Sequence, residues 1–183
     1  MAREFLNRNP EKQELNQYWY SELTLQTLSQ EIEDLSTGPV TTIACISTPS
    51  VHFALSRNLQ ANSWIFDLDQ KFKTQTNYVC YDFNDPLGFE ESFQNFFDLV
   101  VVDPPFITYE VWEKYSRTIK SLLKPNGLMI LSSIAENASM LNELLGAKVM
   151  PFQPSIPNLV YQYNFFANYD SQRLSQLNPE IPQ

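Results

Sequence analysis

The residues Asp103-Pro104-Pro105-Phe106 bring together groups that can hold a reacting amine. Two consecutive prolines fix φ and remove two backbone donors, so the chain can neither continue a strand nor enter a helix interior there. A carboxylate, bare carbonyls and an aromatic ring are left in one place. The Asp103 carboxylate can accept one N–H of an amine and the Pro104 carbonyl a second, leaving the nitrogen lone pair aimed outward. Pro105 stiffens the turn, and Phe106 can stack on a planar base or on the stem and charge of a lysine. In such a site positioning, rather than a strong base, supplies most of the rate.

Three other clusters share a feature with this one: each directly follows a short apolar run. Ser47-Thr48-Pro49-Ser50 follows residues 40–46, Asp67 and Asp69 follow 64–66, and Asp82-Phe83 follows 78–81, just as Asp103 follows 98–102. Short apolar runs of this kind read as buried strands, and open α/β sheets bind ligands beyond the carboxyl ends of their strands. Each cluster suits one part of a nucleoside-bearing cofactor. Asp67, directly after its run, can accept from ribose hydroxyls; Asp69 is the second candidate and equally suits a helix cap. Asp82 can accept from an adenine amino group with Phe83 beside the ring, or simply open the Asn84-Asp85-Pro86 turn. The first loop departs from nucleotide folds, which place glycines there. The chain has only 4 glycines, and none lies between Gly38 and Gly88. Ser47, Thr48 and Pro49 must therefore line that loop with small side chains and no phosphate cradle.

Periodicity gives the elements that must position these residues. Leu25, Leu28, Ile32 and Leu35 predict a helix from Glu22, stopped by Gly38-Pro39. Residues 40–46, 64–66, 78–81 and 99–102 read as strands, with a helix through Val51, Phe53, Ala54, Leu55 and Leu59 after the first. Val111, Tyr115, Ile119 and Leu122 predict a helix that 124–127 terminates, followed by a strand at 128–131. Met140, Leu141, Leu144 and Leu145 mark a further helix closed by Gly146, and 148–152 and 159–167 are the last strands. Their link is too short for a parallel crossover, so they must pair antiparallel. The alternation predicts an α/β fold with a mainly parallel sheet, an antiparallel C-terminal strand and helices on both faces. Residues 1–15 lack an apolar period and are expected to be a flexible N-terminal arm; 16–170 form one domain, and 171–183 a frayed polar tail. Trp19 and Tyr20, at the domain's start, can lid a cofactor or pack the first helix.

Composition bounds the partners. The 183 residues are 43% hydrophobic and 14% aromatic, which fits a folded globule, and carry a formal charge of −9. Affinity for duplex nucleic acid comes largely from Lys and Arg, so the acidic total favours a basic protein partner and argues against nucleic acid without excluding it. Cys45 and Cys80 lie in apolar runs and are expected in the core; they make no metal site or disulfide framework. His52, the only histidine, has no evident partner and is expected to play a surface or helix role. No secretory signal opens the chain and no apolar run approaches the ~20 residues that span a membrane. The expectation is a soluble, cytoplasmic protein with no membrane partner.

The Asp-Pro-Pro-Phe turn resembles the Asp-Pro-Pro-Tyr/Phe motif of S-adenosylmethionine-dependent amino-methyltransferases. Across 17–21, 43–51, 65–69, 81–87, 98–106 and 168–170, the chain is similar to the elongation factor 1-alpha lysine methyltransferases, a family formerly described as N6-adenine-specific DNA methyltransferases. The glycine-free Ser-Thr-Pro-Ser loop matches that family, while Phe106 stands where many of its members carry Tyr. The resemblance implies a seven-stranded Rossmann-like methyltransferase fold, S-adenosylmethionine as cofactor and elongation factor 1-alpha as partner. It implies a catalytic role for Asp103, Pro104, Pro105 and Phe106. The motif alone serves adenine and lysine equally; the acidic charge and the lack of a DNA-gripping domain favour lysine. Adenine methylation in DNA or RNA, and an inactive cofactor-binding partner subunit, are the alternatives.

Overall fold

A computed structural model describes residues 1–38 and 40–182, so the helix stop assigned to Pro39 lies outside the described residues. Its centre is a seven-stranded sheet in the order β3-β2-β1-β4-β5-β7-β6. The strands are β1 (Ile43–Ile46), β2 (Ser63–Asp67), β3 (Tyr78–Cys80), β4 (Phe97–Val102), β5 (Leu123–Ser133), β6 (Lys148–Val149) and β7 (Asn164–Ala167). The pairs from β3 through β5 are parallel. β7 runs antiparallel to both β5 and β6, and so lies between them rather than at the edge.

Because successive strand residues point to opposite faces, each central strand feeds two cores. Ile43, Cys45, Leu99, Val101 and Ile130 face helices α2 (Glu22–Ser36) and α3 (Pro49–Ala54), where Leu25, Leu28, Ile32 and Val51 are fully buried. Ala44, Ile46, Val100, Val102 and Leu131 face α5 (Tyr109–Leu122) and α6 (Ala138–Leu145), through Trp112, Tyr115, Ile119 and Leu141. Each fully buried aliphatic side chain contributes about 1.5–3 kcal/mol, and that sum sets the register. Ser21 caps α2 by accepting from the Thr24 N–H, and Gly146, at φ +67°, closes α6 in the left-handed conformation that suits glycine.

Several local expectations are corrected. The single helix after β1 is two short ones, α3 and α4 (Arg57–Gln60), because the chain turns extended at Leu55 and restarts after Ser56. The segment 124–127, expected only to end α5, belongs to β5, which begins at Leu123 and absorbs the irregularity as a register shift opposite Phe97 and Leu99. β6 stops at Val149, and Leu159 to Tyr163 are loop rather than strand. Cys45 is buried, with its thiol pushed up to about 12 by burial, but Cys80 is exposed because β3 is an edge strand. His52 is buried on α3, its Nδ1 3.0 Å from the Ser63 hydroxyl, and burial lowers its pKa to about 4.

Neither end of the chain behaves as its polar composition suggests. Within the expected arm, Ala2–Arg8 forms helix α1, and Phe5 is buried against Trp19, Phe53 and Phe72. A single large aromatic ring anchors a segment that has no apolar period. In the tail, Leu174 is fully buried and its carbonyl accepts from the Phe152 N–H, while Asn178 donates to the Gln153 carbonyl.

Candidate active site

The carboxyl ends of β1, β2, β3 and β4 open into one cleft, about 960 Å³ with its solvent-facing part included. The Asp-Pro-Pro-Phe turn, Ser47, Asp67, Asp82, Phe83 and Trp19 all line it. Four strand ends read separately in the sequence thus meet at one place.

Asp103 leaves β4 with part of its surface toward the cleft. The Ser132 hydroxyl, from β5, donates to its Oδ1 at 2.5 Å, and the Tyr20 hydroxyl donates to Ser132 Oγ at 2.8 Å. Burial raises the Asp103 pKa to about 7, against the downward pull of those two hydroxyls. Pro104 is buried, Pro105 half-buried, and the Phe106 ring is 51% exposed beside Phe83. The two prolines end the strand as their chemistry requires, and α5 starts again at Thr108, whose hydroxyl caps the Val111 N–H.

At the end of β2 two acids take different roles. Asp67 lines the cleft, accepts from the Asp69 N–H at 2.8 Å, and has its pKa raised by burial to about 7. Asp69 is held by the N-terminal segment: Lys12 Nζ donates at 2.8 Å, Gln17 Nε2 at 3.0 Å and the Lys71 N–H at 3.0 Å. Burial pulls the Asp69 carboxyl upward, but the Lys12, Lys71 and Gln17 donors outweigh it and hold the group below its usual range. Asp69 is therefore a cap and an anchor, while Asp67 faces the cleft.

Ser47 adopts φ +56° and its hydroxyl pairs with the Tyr115 hydroxyl at 2.6 Å, so a serine performs the tight turn expected of glycine. Thr48 and Pro49 turn inward: both are buried at the start of α3, outside the cleft lining. Asp82 is exposed on the rim and accepts from the Asn84 N–H at 2.8 Å, so the turn and cleft roles coexist. Trp19 lines the cleft and donates from Nε1 to the Asn9 carbonyl at 2.8 Å; Tyr20 lies beneath it, 1% exposed, as part of the Asp103 network.

Sequence reading missed three contributors. Ser132 ends an apolar run as one of two serines, a pattern with no chemical signature. Asn16, at φ 51°, donates its side-chain amide to the Pro105 carbonyl and thereby ties the N-terminal segment to the Asp-Pro-Pro-Phe turn. Ile156 and Leu159, from the loop before β7, form a wall beside Tyr163, one of the late aromatics expected in the final hairpin core or facing the substrate. The described residues lining the cleft include four carboxylates, Glu14, Asp67, Asp82 and Asp103, and no Lys, Arg or His. An anionic ligand has no counter-charge there; a cation meets four carboxyl groups, two of which, Asp67 and Asp103, burial inclines toward the neutral form.

Several known proteins are similar to this chain. The family model described as "Probable N6-adenine methyltransferase" matches residues 11–171. EEF1A lysine methyltransferase 1 of Homo sapiens is 35% identical over 166 residues, covering 88% of this chain and 76% of that protein. The Mus musculus protein of the same name is 36% identical over the same shares. Among solved structures, the N-methyltransferase NodS from Bradyrhizobium japonicum, in complex with S-adenosylhomocysteine, superposes with a TM-score of 0.51 over 88% of each chain. At 16% identity that likeness establishes the Rossmann-like methyltransferase fold alone. From the match of nearly the whole domain, the chain belongs to the family that this model describes, which also holds the EEF1A lysine methyltransferase 1 proteins.

Proposed function

We propose that this protein is an S-adenosylmethionine-dependent lysine N-methyltransferase acting on elongation factor 1-alpha, the substrate named for its relatives. The observation that carries this reading is the cleft's charge: four acidic side chains and no basic one among the described lining residues. A polynucleotide brings phosphates, which need Lys and Arg; a lysine brings an ammonium, and the cofactor a sulfonium. S-adenosylmethionine, when bound, supplies an electrophilic methyl group. The residues present fit such a group: Asp67 would hold its ribose, Asp82 and Phe83 at the rim would hold its base, and Ser47 leaves room at a turn that needs no phosphate cradle.

The chain's own residues then prepare the amine. The walls made by Tyr18, Phe106 and Tyr163 desolvate the substrate side chain and favour its neutral form. Ionised Asp103 accepts one N–H and the Pro104 carbonyl another, which turns the lone pair away from both and toward the cofactor side of the cleft. Asp103 must be charged to accept, so activity rises with pH through about 7, where its titration lies. Half-exposed Phe106 offers an aromatic surface to the aliphatic stem. A translation-factor substrate puts the enzyme to work in the cytoplasm.

The test is incubation with methyl-labelled S-adenosylmethionine and, in parallel, purified elongation factor 1-alpha, DNA and RNA oligonucleotides. Label in a lysine of the protein is the expected result. Label confined to adenine overturns the lysine reading, and absence of cofactor binding by calorimetry overturns the enzyme reading.

A further inference from the structure

Asp103 faces a cleft with no cation on its described walls, under conditions that favour its protonated form. Burial alone would leave it neutral and unable to accept an amine N–H. What opposes this is a pair of hydroxyls in series. Ser132 Oγ stands 2.5 Å from Asp103 Oδ1, and Tyr20 Oη stands 2.8 Å from Ser132 Oγ. Ser132 is fully buried and Tyr20 is 1% exposed, so neither exchanges its partner for water. The Tyr20 phenol is held well above its usual pKa, first by burial and then by the nearby Asp103 charge, so it remains a donor.

We propose that Tyr20 and Ser132 are positioning residues that donate in series toward Asp103 and favour its charged, amine-accepting carboxylate against the pull of burial. The direction follows from the inventory of protons. An ionised carboxylate has none to give, so Ser132 must donate to it; the Ser132 oxygen is then free to accept from Tyr20. Each bond polarises the next, so the pair is stronger than two separate bonds. The chain ends at a buried phenol, so it holds a charge in place and does not carry a proton out to solvent. The other titratable groups that face Asp103 are Tyr163, from the loop before β7, and Tyr115, from α5. Asp67 shares the Tyr115 neighbourhood. Tyr163 and Tyr115 are neutral, so among the described residues the two hydroxyls are the groups that favour the carboxylate.

The catalytic consequence rests on the amine-methylation reading above, but the charge relay does not, and the test separates them. Carbon-13 NMR of labelled aspartate follows the Asp103 titration in the protein without substrate, with Asp103→Asn assigning the signal. Ser132→Ala is expected to move that titration upward by about one pH unit, and Tyr20→Phe by less. Because the donors act in series, Tyr20→Phe in the Ser132→Ala background must shift it less than in the wild-type protein. In methylation assays the acid limb of kcat follows the same displacements, while the dissociation constant for S-adenosylmethionine stays within about twofold of wild type, as expected of uniform cofactor binding. An unmoved titration, or fully additive shifts, overturns the relay. A shifted titration in a protein that methylates no lysine upholds the relay and overturns the functional reading instead. Should Ser132→Ala fail to fold, Tyr20→Phe, which loses one oxygen, carries the test alone.

Discussion

Asp98 and Asp103 stand at the two ends of the same six-residue strand, β4, and have opposite fates. At the amino end, Asp98 Oδ2 accepts from the N–H and hydroxyl groups of Thr41 and Thr42 at 2.8–3.0 Å, and Lys124 Nζ donates to Oδ1 at 2.8 Å. Burial pulls this carboxyl upward, but Lys124 and the threonine donors prevail and hold it well below its ordinary value. At the carboxyl end Asp103 accepts from the Ser132 hydroxyl, which Tyr20 backs in turn, with no cation among the described residues at hand, and burial wins. A carboxylate with donors on both oxygens and a cation beside it locks a strand; one left under-supplied can take a substrate proton donor. The same division recurs at β2, with Asp69 tied down and Asp67 facing the cleft. Stability and function fall to different acids, at opposite ends of β4 and side by side at the end of β2.

Substitutions can break this contrast. Asp103→Asn should reduce methyl transfer at least about 100-fold, the scale of losing a positioning contact at the reacting atom, as read from single-turnover kinetics. Its folded pKa is raised, so ionised Asp103 weakens the fold as pH climbs from the unfolded value toward 7. Melting at pH 8 should therefore show Asp103→Asn at least as stable as wild type. A clear loss of stability there would make Asp103 another structural acid.

Asp98→Asn should do the reverse, keeping turnover per folded molecule while costing on the order of 2 kcal/mol at neutral pH, as removal of charged hydrogen bonds does. Because its folded pKa is depressed, the stability it provides is complete above the unfolded value and lost as pH falls below about 4. Denaturant titrations at pH 7 and pH 3 should show the difference between wild type and variant shrinking in acid. Next in size, Lys12→Ala removes a pair whose lysine is one-third exposed. A few-fold weaker S-adenosylmethionine binding and faster proteolysis between α1 and α2 are expected, both checked against added salt. Lys124→Met is the smallest: Lys124 is 40% exposed, and less than about 1 kcal/mol should be lost in chemical denaturation.

Most of this architecture is visible in the chain because central strands must be apolar on both faces, so 99–102 and the acid that follows stand out without help. The elements that were misread obey rules a local window does not carry. Phe5 looks isolated in a polar segment until Phe53, Phe72 and Trp19 are brought to it from elsewhere in the chain. Pro125 and Gly127 look like a stop, yet β5 runs through them because the facing strand accommodates the shift at Phe97 and Leu99. Ser132 carries no signal of its own; its importance comes from facing Asp103 across neighbouring strands. Thr48 and Pro49 belong to a loop read correctly as glycine-free, but the left-handed turn at Ser47 directs them into the core.

The position of β7 has a consequence for how the protein is made. Of the seven described strands residues 164–167 come last in the chain, yet they fill the gap between β5 and β6. Among the described residues β6 pairs only with β7, so on a growing chain Lys148 and Val149 wait without a partner. Tyr163, a wall of the cleft, arrives together with β7, and Leu174 covers Phe152 only afterwards. In chain order the acidic strand ends therefore come well before the segment that closes the cleft, and the pairing of β7 is what brings the last wall to them.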